Sequence, residues 1–534
     1  MKDFFDGKKV LIVVPHQDDE INVASGVLSL DIDKSNIYVV YTTNGDFSIN
    51  ADIRYKEAIK ALKCFGIKKK NVIFLGYSDQ SYSQNTHMYN NNNDWVSNNN
   101  ITRTYGALKI DEYCYSKNKE HKLFNRKNLY DDIVSVLEEI MPDIIIGIDL
   151  DFHPDHIMTS LLLEKAIGYL LQNNLEYHPI VLKTFAYENA YFGANDFNDL
   201  NQYGMKFIKK DYHLKSNPYY SDDNCLSFSV SDNAKYLNLR KNVVFKAIKK
   251  HVSQLLIMHS FQIISPNNVY WYRFTDNLIN KAYISVSSGN KTFLNDFMLS
   301  DIDNVLHGDK KELFYDCGIW IPEKKDNNKL IKIKFEKEEY IKYINLYSGR
   351  LHDKKKINKI RVTLDNDSYD YELNDYFIDV IKVDKFVSEI CIKILDDVVE
   401  NGFSEIELLN DAKMPFKTFK VIINNTWSNN LICLNKEVTK YNMELLSNYS
   451  SSFSLNCNNL NNGYVKENKI FLSKKTTGYI EFYDCYGNYK ERIYVNKNVL
   501  LTKIAVIMNG IYIKLAIVFS KTKRKIIFLK YKCH

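Results

Sequence analysis

The nine cysteines of this 534-residue chain (Cys64, Cys114, Cys225, Cys317, Cys391, Cys433, Cys457, Cys485, Cys533) are scattered, and no two fall in a CxxC spacing. That pattern excludes a thiolate zinc site and a disulfide framework, and it reads as a reducing compartment. The N-terminal residues Met1-Lys2-Asp3-Phe4-Phe5-Asp6 lack a signal-peptide pattern, so a cytoplasmic protein is expected. Acidic residues are missing from Val499 to His534, where eight Lys or Arg stand. The whole chain carries +6, so that tail holds all of the positive balance and residues 1–498 are left at −2. Nucleic acid is therefore not expected as a partner. The tail also lacks an uninterrupted run of the roughly 20 apolar residues that a membrane-spanning helix needs. Its Leu500–Ser520 stretch is broken by Lys503, Asn509-Gly510 and Lys514.

What is present is a strand that ends in chemistry. Val10–Val14 is an apolar run of strand length, and it delivers Pro15-His16-Gln17-Asp18-Asp19-Glu20 to a single turn. Ionisable side chains grouped at the end of a buried strand call for a reason, and metal binding supplies one. Strand-like runs then alternate with helical patterns, the signature of a parallel sheet covered by helices. Strands are expected at Ile37–Thr42 and Asn71–Leu75, and helices at Ile21–Leu30 and Ile53–Phe65. From Ser78 to about Lys127 the rhythm fails, and the segment reads as a solvated loop, with His87, Trp95 and Tyr105 as the residues that would line a cleft. A helix over Leu129–Ile140 leads into the apolar strand after Pro142. It ends in a second cluster, Asp149-Leu150-Asp151-Phe152-His153-Pro154-Asp155-His156. Sites in open α/β sheets form beyond the carboxyl ends of strands, and both clusters sit at such ends.

The residue types suggest the division of labour. His16 and Asp19 can reach one ion from one turn, and His156 can add a third ligand, the set of two His and one carboxylate that holds catalytic zinc. The same donors could hold Fe(II). Asp18 can take the proton of an attacking water, and His153 can protonate a leaving amine or stabilise an oxyanion. Glu20 is left only with favouring the start of the next helix.

These motifs resemble the PIG-L/LmbE family of zinc-dependent N-acetylglucosaminyl deacetylases. Thr43-Asn44-Gly45-Asp46, Arg54, Glu57, Leu75-Gly76-Tyr77-Ser78-Asp79 and Lys246–Gln254 are weaker matches in the family's order. The resemblance implies zinc on His16, Asp19 and His156, Asp18 as base, His153 as acid or oxyanion stabiliser, and Arg54 and Asp79 near the sugar. It implies release of acetate from an N-acetylated amino sugar in a glycan or glycoconjugate. The alternatives are another N-acyl substrate or a non-catalytic carbohydrate-binding protein. Gln17 departs from the family, which usually has Pro there, and should alter the rigidity of the turn but not ligation. Two plainer readings stand beside the resemblance: Arg54 and Glu57 as an i, i+3 surface pair, and His251 and Gln254 as polar positions on a docking helix.

Beyond about residue 275 the pattern changes to short strands without strong helices: Leu330–Phe335, Tyr340–Leu346, Lys359–Leu364, Tyr369–Leu373 and Glu389–Leu395. This looks like a sandwich similar to galactose-binding-like domains. The fold class is thus α/β, a Rossmann-like, mostly parallel sheet flanked by helices, followed by one or two all-β sandwiches. The expected divisions are 1–275 for the deacetylase-like domain, 276–412 for the sandwich, 413–498 for a small immunoglobulin-like β domain and 499–534 for the basic tail. The tail would pair as a hairpin about Asn509-Gly510 or make peripheral contact with an anionic membrane.

Overall fold

The computed structural model describes residues 2–410 apart from 81–87, 91–93, 150–152, 187–190, 193–206, 209–224, 235–239, 257–262, 265–266, 274, 299–317, 349–356 and 374–377, and beyond 410 only strands between Val421 and Ile527. Five parallel strands, β1 (Val10–Val14), β2 (Ile37–Thr43), β3 (Val72–Tyr77), β4 (Ile144–Ile148) and β5 (Ile180–Thr184), run in the order β3-β2-β1-β4-β5. Two antiparallel strands, Asn267–Arg273 and then Cys225–Ser229, complete the sheet beyond β5. The strands read as unbroken apolar runs because both faces are covered. In β1, Val10, Ile12 and Val14 enter the core on one side, and Leu11 and Val13 the core on the other. The strand order reverses between β1 and β4, and the crevice at such a switch point is where open α/β sheets place ligands. Both polar clusters follow these two strands.

The expected helices form with small shifts, as Asp19–Leu28, Ala51–Cys64 and Arg126–Ile140. The expectation of a solvated loop after Ser78 is corrected over its described part. Met88 and Tyr89 are buried, Trp95 is 8% exposed beside the buried Phe124, and a short helix covers Tyr113–Asn118. Its backbone is stitched inward by Trp95 N–H to Phe124 O at 2.7 Å and Thr104 N–H to Lys122 O at 2.8 Å. His87 lies outside the described residues.

The second sheet is antiparallel and is built on two long strands, Leu330–Ser348 and Ile378–Ile394. In sequence the first reads as two short strands, Leu330–Phe335 and Tyr340–Leu346, and the second only by its end, Glu389–Leu395. Instead, register shifts between Lys334 and Glu339 and between Ile341 and Tyr343 bend one continuous strand, as β-bulges do. Its first half pairs with Ala282–Val286 and its second with Phe403–Leu409. Inward Ile and Val side chains, including Ile331, Ile333, Ile390 and Ile392, fill this core. In the tail, Leu501–Met508 pairs antiparallel with Ile511–Phe519, Met508 opposite Ile511. Among the described residues no helix is long and apolar enough to cross a membrane.

The two sheets are joined through the helix Pro154–Asn173. Phe297 and Met298, which precede the second sheet's long strands, insert into the core of the first. A Cβ on Gly168 would stand 2.1 Å from Asp296 O, so only glycine permits this approach. Phe297 N–H donates to Glu405 Oε2 at 3.0 Å, and Asn277 bridges to Ile406 O and Leu408 N at 2.8 Å each. Acids outnumber cations in this seam: Arg273, Lys183 and Lys165 stand among Glu164, Asp149, Asp296, Glu405 and Glu407.

That imbalance has a pH consequence. Burial, with Asp296 adding to it, holds the Glu405 carboxyl well above its usual range, and burial does the same for Asp296. A carboxyl raised on folding binds more protons folded than unfolded. Its contribution is therefore full below the unfolded value of about 4 and is lost as pH rises through the folded value. Stability is expected to increase on going from pH 8 towards pH 5. Glu405→Gln, which keeps an acceptor for Phe297 N–H, should raise the melting temperature at pH 8 by a few degrees, the effect of about 1 kcal/mol, and flatten the slope. Thermal melts across that pH range check it; an unchanged slope would contradict the assignment.

Candidate active site and metal centre

The turn after β1 has an unusual backbone. Asp18 lies at φ +154°, ψ −24°, a region non-glycine residues rarely occupy and one that strain can reserve for function. It stands at the N-cap of the Asp19–Leu28 helix, yet its side chain makes no capping bond. That carboxylate turns instead to Arg54, whose Nη2 lies 3.5 Å from Asp18 Oδ1. Burial pushes the Asp18 carboxyl above its usual range, while the Arg54 guanidinium pulls it back.

The same guanidinium, 3% exposed, donates from Nε to Gln17 Oε1 at 3.3 Å, and Gln17 Nε2 donates to Thr43 O at 2.7 Å. Gln17 thereby fixes the turn by hydrogen bonds where the family's Pro would fix it by its ring. Gly45, at φ +61°, leaves room for this pair, since a Cβ there would stand 2.4 Å from Gln17 Oε1 and 2.6 Å from Arg54 Nε.

Three donor atoms converge across the switch point. His16 Nδ1 lies 3.1 Å from Asp19 Oδ2, His156 Nε2 lies 3.3 Å from Asp19 Oδ2, and the two ring nitrogens are 3.2 Å apart. Donors held at about 2.0–2.1 Å from a tetrahedral ion are about 3.3–3.4 Å from one another, so this near-equilateral triangle fits zinc without rearrangement. The other nitrogen of His16, Nε2, is 3.1 Å from Asp155 Oδ2 and 3.4 Å from Asp79 Oδ1. Carboxylates in that position orient a metal-ligating imidazole and increase its basicity. Two further groupings lie within ligand spacing: His16, His153 and His156, which puts a nitrogen of His153 near the same two histidines, and His16, Asp79, His153 and Asp155, on the side where Asp79 and Asp155 approach His16 Nε2.

His153 caps the helix that carries His156. Its Nδ1 accepts from Asp155 N–H at 3.2 Å, so the neutral ring carries its proton on Nε2. Burial, reinforced by the neighbouring His16 and His156, holds its pKa well below the usual range. The His153 ring centroid is 4.6 Å from that of His16 and 4.8 Å from that of His156. Asp79 is pushed up to about 6, by burial first, with His16 pulling against it. Its backbone N–H donates to Asp46 Oδ1 at 2.7 Å, and Asp46 also accepts from Ser78 Oγ and Tyr105 OH at 2.6 Å each.

Two plainer readings are corrected here. Arg54 and Glu57 are both buried and do not pair at the surface. Glu57 instead accepts from Ser253 N–H at 2.9 Å and Ser253 Oγ at 2.7 Å. His251 lies beyond the helix, which ends at Ile248, and its Nε2 is 2.8 Å from Glu20 Oε1 with both side chains fully buried. Glu20 therefore has a partner 231 residues away and does more than favour a helix start. Sequence reasoning gives Asp155 no role, although it stands between the two histidines of the HPDH run.

Residues 11–167 match the family model described as PIG-L, GlcNAc-PI de-N-acetylase. This segment is a PIG-L domain. It runs from β1 into the helix bearing His156 and so contains every residue of the triangle and its surroundings named above except His251 and Ser253. No curated protein matches the chain. Among solved structures, the chain is similar to a deacetylase in the biosynthesis pathway of teicoplanin, at 14% identity over 49% of this chain and 96% of that one, with a TM-score of 0.29. It is also similar to the family 32 CBM of a Clostridium perfringens protein in complex with galactose, at 11% identity over 24% and 94% of the two chains and a TM-score of 0.17. A Streptococcus pneumoniae fucose binding module gives 15% identity over 25% and 95%, with a TM-score of 0.19.

The Glu20–His251 pair braces the helix of the PIG-L domain that begins at Asp19. Truncating one partner of a buried pair strands the other and costs about 3–5 kcal/mol. Glu20→Ala is expected to lower denaturant-measured stability by that amount, and Glu20→Gln, which retains a hydrogen bond to His251, by clearly less. Equal losses in the two variants would contradict a paired role.

Proposed function

We propose that the chain is a metal-dependent N-deacetylase that hydrolyses the N-acetyl amide of an N-acetylglucosamine-type sugar in a glycan or glycoconjugate, releasing acetate. The observation that supports it most is the His16 Nδ1, Asp19 Oδ2, His156 Nε2 triangle, with sides of 3.1–3.3 Å at the switch point of a PIG-L domain. His16, Asp19 and His156 would hold an ion there, zinc or Fe(II), which would supply Lewis-acid chemistry and lower the pKa of a bound water. Asp18, anchored by Arg54 and not used as a helix cap, takes the proton of the attacking water and delivers it to the amide nitrogen as the C–N bond breaks, leaving acetate and the free amine. His153, its neutral ring protonated on Nε2, donates to the oxygen that gains charge as the amide carbon becomes tetrahedral. Asp79 orients His16, and Arg54 holds Asp18 at the edge of the substrate position. We assign residues 276–412 to a β-sandwich domain after the PIG-L-containing domain of 1–275, the two packed together through Phe297 and Met298.

The test is a screen for acetate release over N-acetylated amino sugars, free and in lipid- or nucleotide-linked form. Release from an N-acetylglucosamine derivative is the expected outcome. Bound metal with turnover only of other N-acyl compounds would move the assignment to another amidohydrolase. Absence of both metal and turnover would leave a carbohydrate-binding protein.

A further inference from the structure

Basic side chains crowd one face beside the site, although the first 498 residues together are slightly acidic. The exposed residues include Lys56, Lys60, Lys63 and the run Lys68–Lys70 on and after the Ala51–Cys64 helix, and Lys241, Lys246, Lys249 and Lys250 on and around the Val243–Ile248 helix. Within 56–70 the only acid is Glu57, which is buried against Ser253, and there is none between 240 and 256; exposed Asp33, beside Lys68, and Asp52, in the first turn of the Ala51–Cys64 helix, lie at the border of this face.

The two helices pack on each other, and Lys246, Lys249 and Lys250 lie near Cys64, the residue after Lys63, so the ends of the two lysine runs adjoin. It continues to the site, because Ser253 meets Glu57 one turn from Arg54, which holds Asp18. Large apolar side chains stand out of this surface: Val252 is 67% exposed, Leu255 57% and Ile53 46%, the last on the same stripe as Lys56, Lys60 and Lys63.

We propose that this lysine face, with Val252, Leu255 and Ile53 inserted, docks the protein on an anionic lipid bilayer with the site opening at its edge. Protruding apolar groups among lysines fit a headgroup layer over acyl chains. A soluble polyanion would use the lysines and leave those apolar groups in water. Lysines near an anionic bilayer strengthen partitioning by about fivefold each at low salt.

The full chain is to be sedimented with vesicles of phosphatidylcholine alone and of phosphatidylcholine with one quarter phosphatidylglycerol. Binding is expected only to the second and should weaken in 0.5 M salt. Reversing Lys60, Lys63, Lys246 and Lys249 to Glu together should reduce it by at least about 100-fold, with the thermal melt checked to show that the variant is folded. Val252→Ser with Leu255→Ser should reduce it several-fold. Reversing Lys521, Lys523 and Lys525 of the tail should leave most of it.

The proposal is overturned by absence of binding to anionic vesicles, by unchanged binding of the folded lysine variant, or by loss that follows the tail variant instead. Full competition by a soluble polyanion, with the two Ser substitutions silent, would overturn it in favour of a polyanionic partner. None of these outcomes depends on the deacetylase reading.

Discussion

Asp18→Asn is expected to lower the turnover number for acetate release by about 10²–10⁴, the usual contribution of a positioned general base, while bound metal stays near the wild-type level. The separation follows from geometry. Asp19 supplies the oxygen of the donor triangle, at 3.1 and 3.3 Å from the two histidine nitrogens. Asp18, one residue earlier, is directed by its φ of +154° towards Arg54. Asn tolerates unusual backbone angles nearly as well as Asp, and its carbonyl oxygen can still accept from Arg54 Nη2. The substitution therefore removes a proton acceptor and little else. Steady-state kinetics on the metal-loaded variant, beside metal analysis, measure both quantities. Near-normal turnover would show that Asp18 is not the base, and loss of metal would place it among the ligands.

His156→Ala should lose metal and activity together. His156 Nε2 is one of three corners of the triangle, 3.3 Å from Asp19 Oδ2 and 3.2 Å from His16 Nδ1. Removal leaves His16 and Asp19, two donors from one turn, where structural and catalytic zinc sites use at least three protein ligands. His153 lies close enough to raise a challenge, with its ring centroid 4.8 Å from that of His156. Its Nδ1, however, accepts from the Asp155 backbone N–H, and it caps the helix. Metal content of purified His156→Ala should fall to a small fraction of wild type, whereas His153→Ala should keep metal and lose turnover. Retention of a full complement of metal by His156→Ala would remove it from the ligand set.

The sheet was legible because continuous apolar runs such as Val10–Val14 and Ile144–Ile148 are what two-sided burial demands, and polar clusters at their ends mark a crevice. The ligand candidates were legible for the same reason: short-range spacing places His16 with Asp19, and His153 with His156. Pairings set by tertiary distance were not. Glu20 meets His251 across 231 positions and Ser253 meets Glu57 across 196, and no local period encodes either contact. Trp95 and Tyr105 sit in an Asn-rich stretch that reads as solvated, yet Trp95 packs near Phe124 and Tyr105 hydrogen-bonds Asp46. The bent strand Leu330–Ser348 was split in two because the polar residues at its bulge, Glu336–Glu339, look like a turn in sequence.

The central claim is that acetate release depends on an ion held by His16, Asp19 and His156. It is tested most directly by removing metal from the full chain with a chelator, confirming the loss by elemental analysis, and adding back zinc or Fe(II) while acetate release is followed. The expected result is loss of activity with the metal and recovery at about one ion per chain. Undiminished acetate release from metal-free protein would contradict the account.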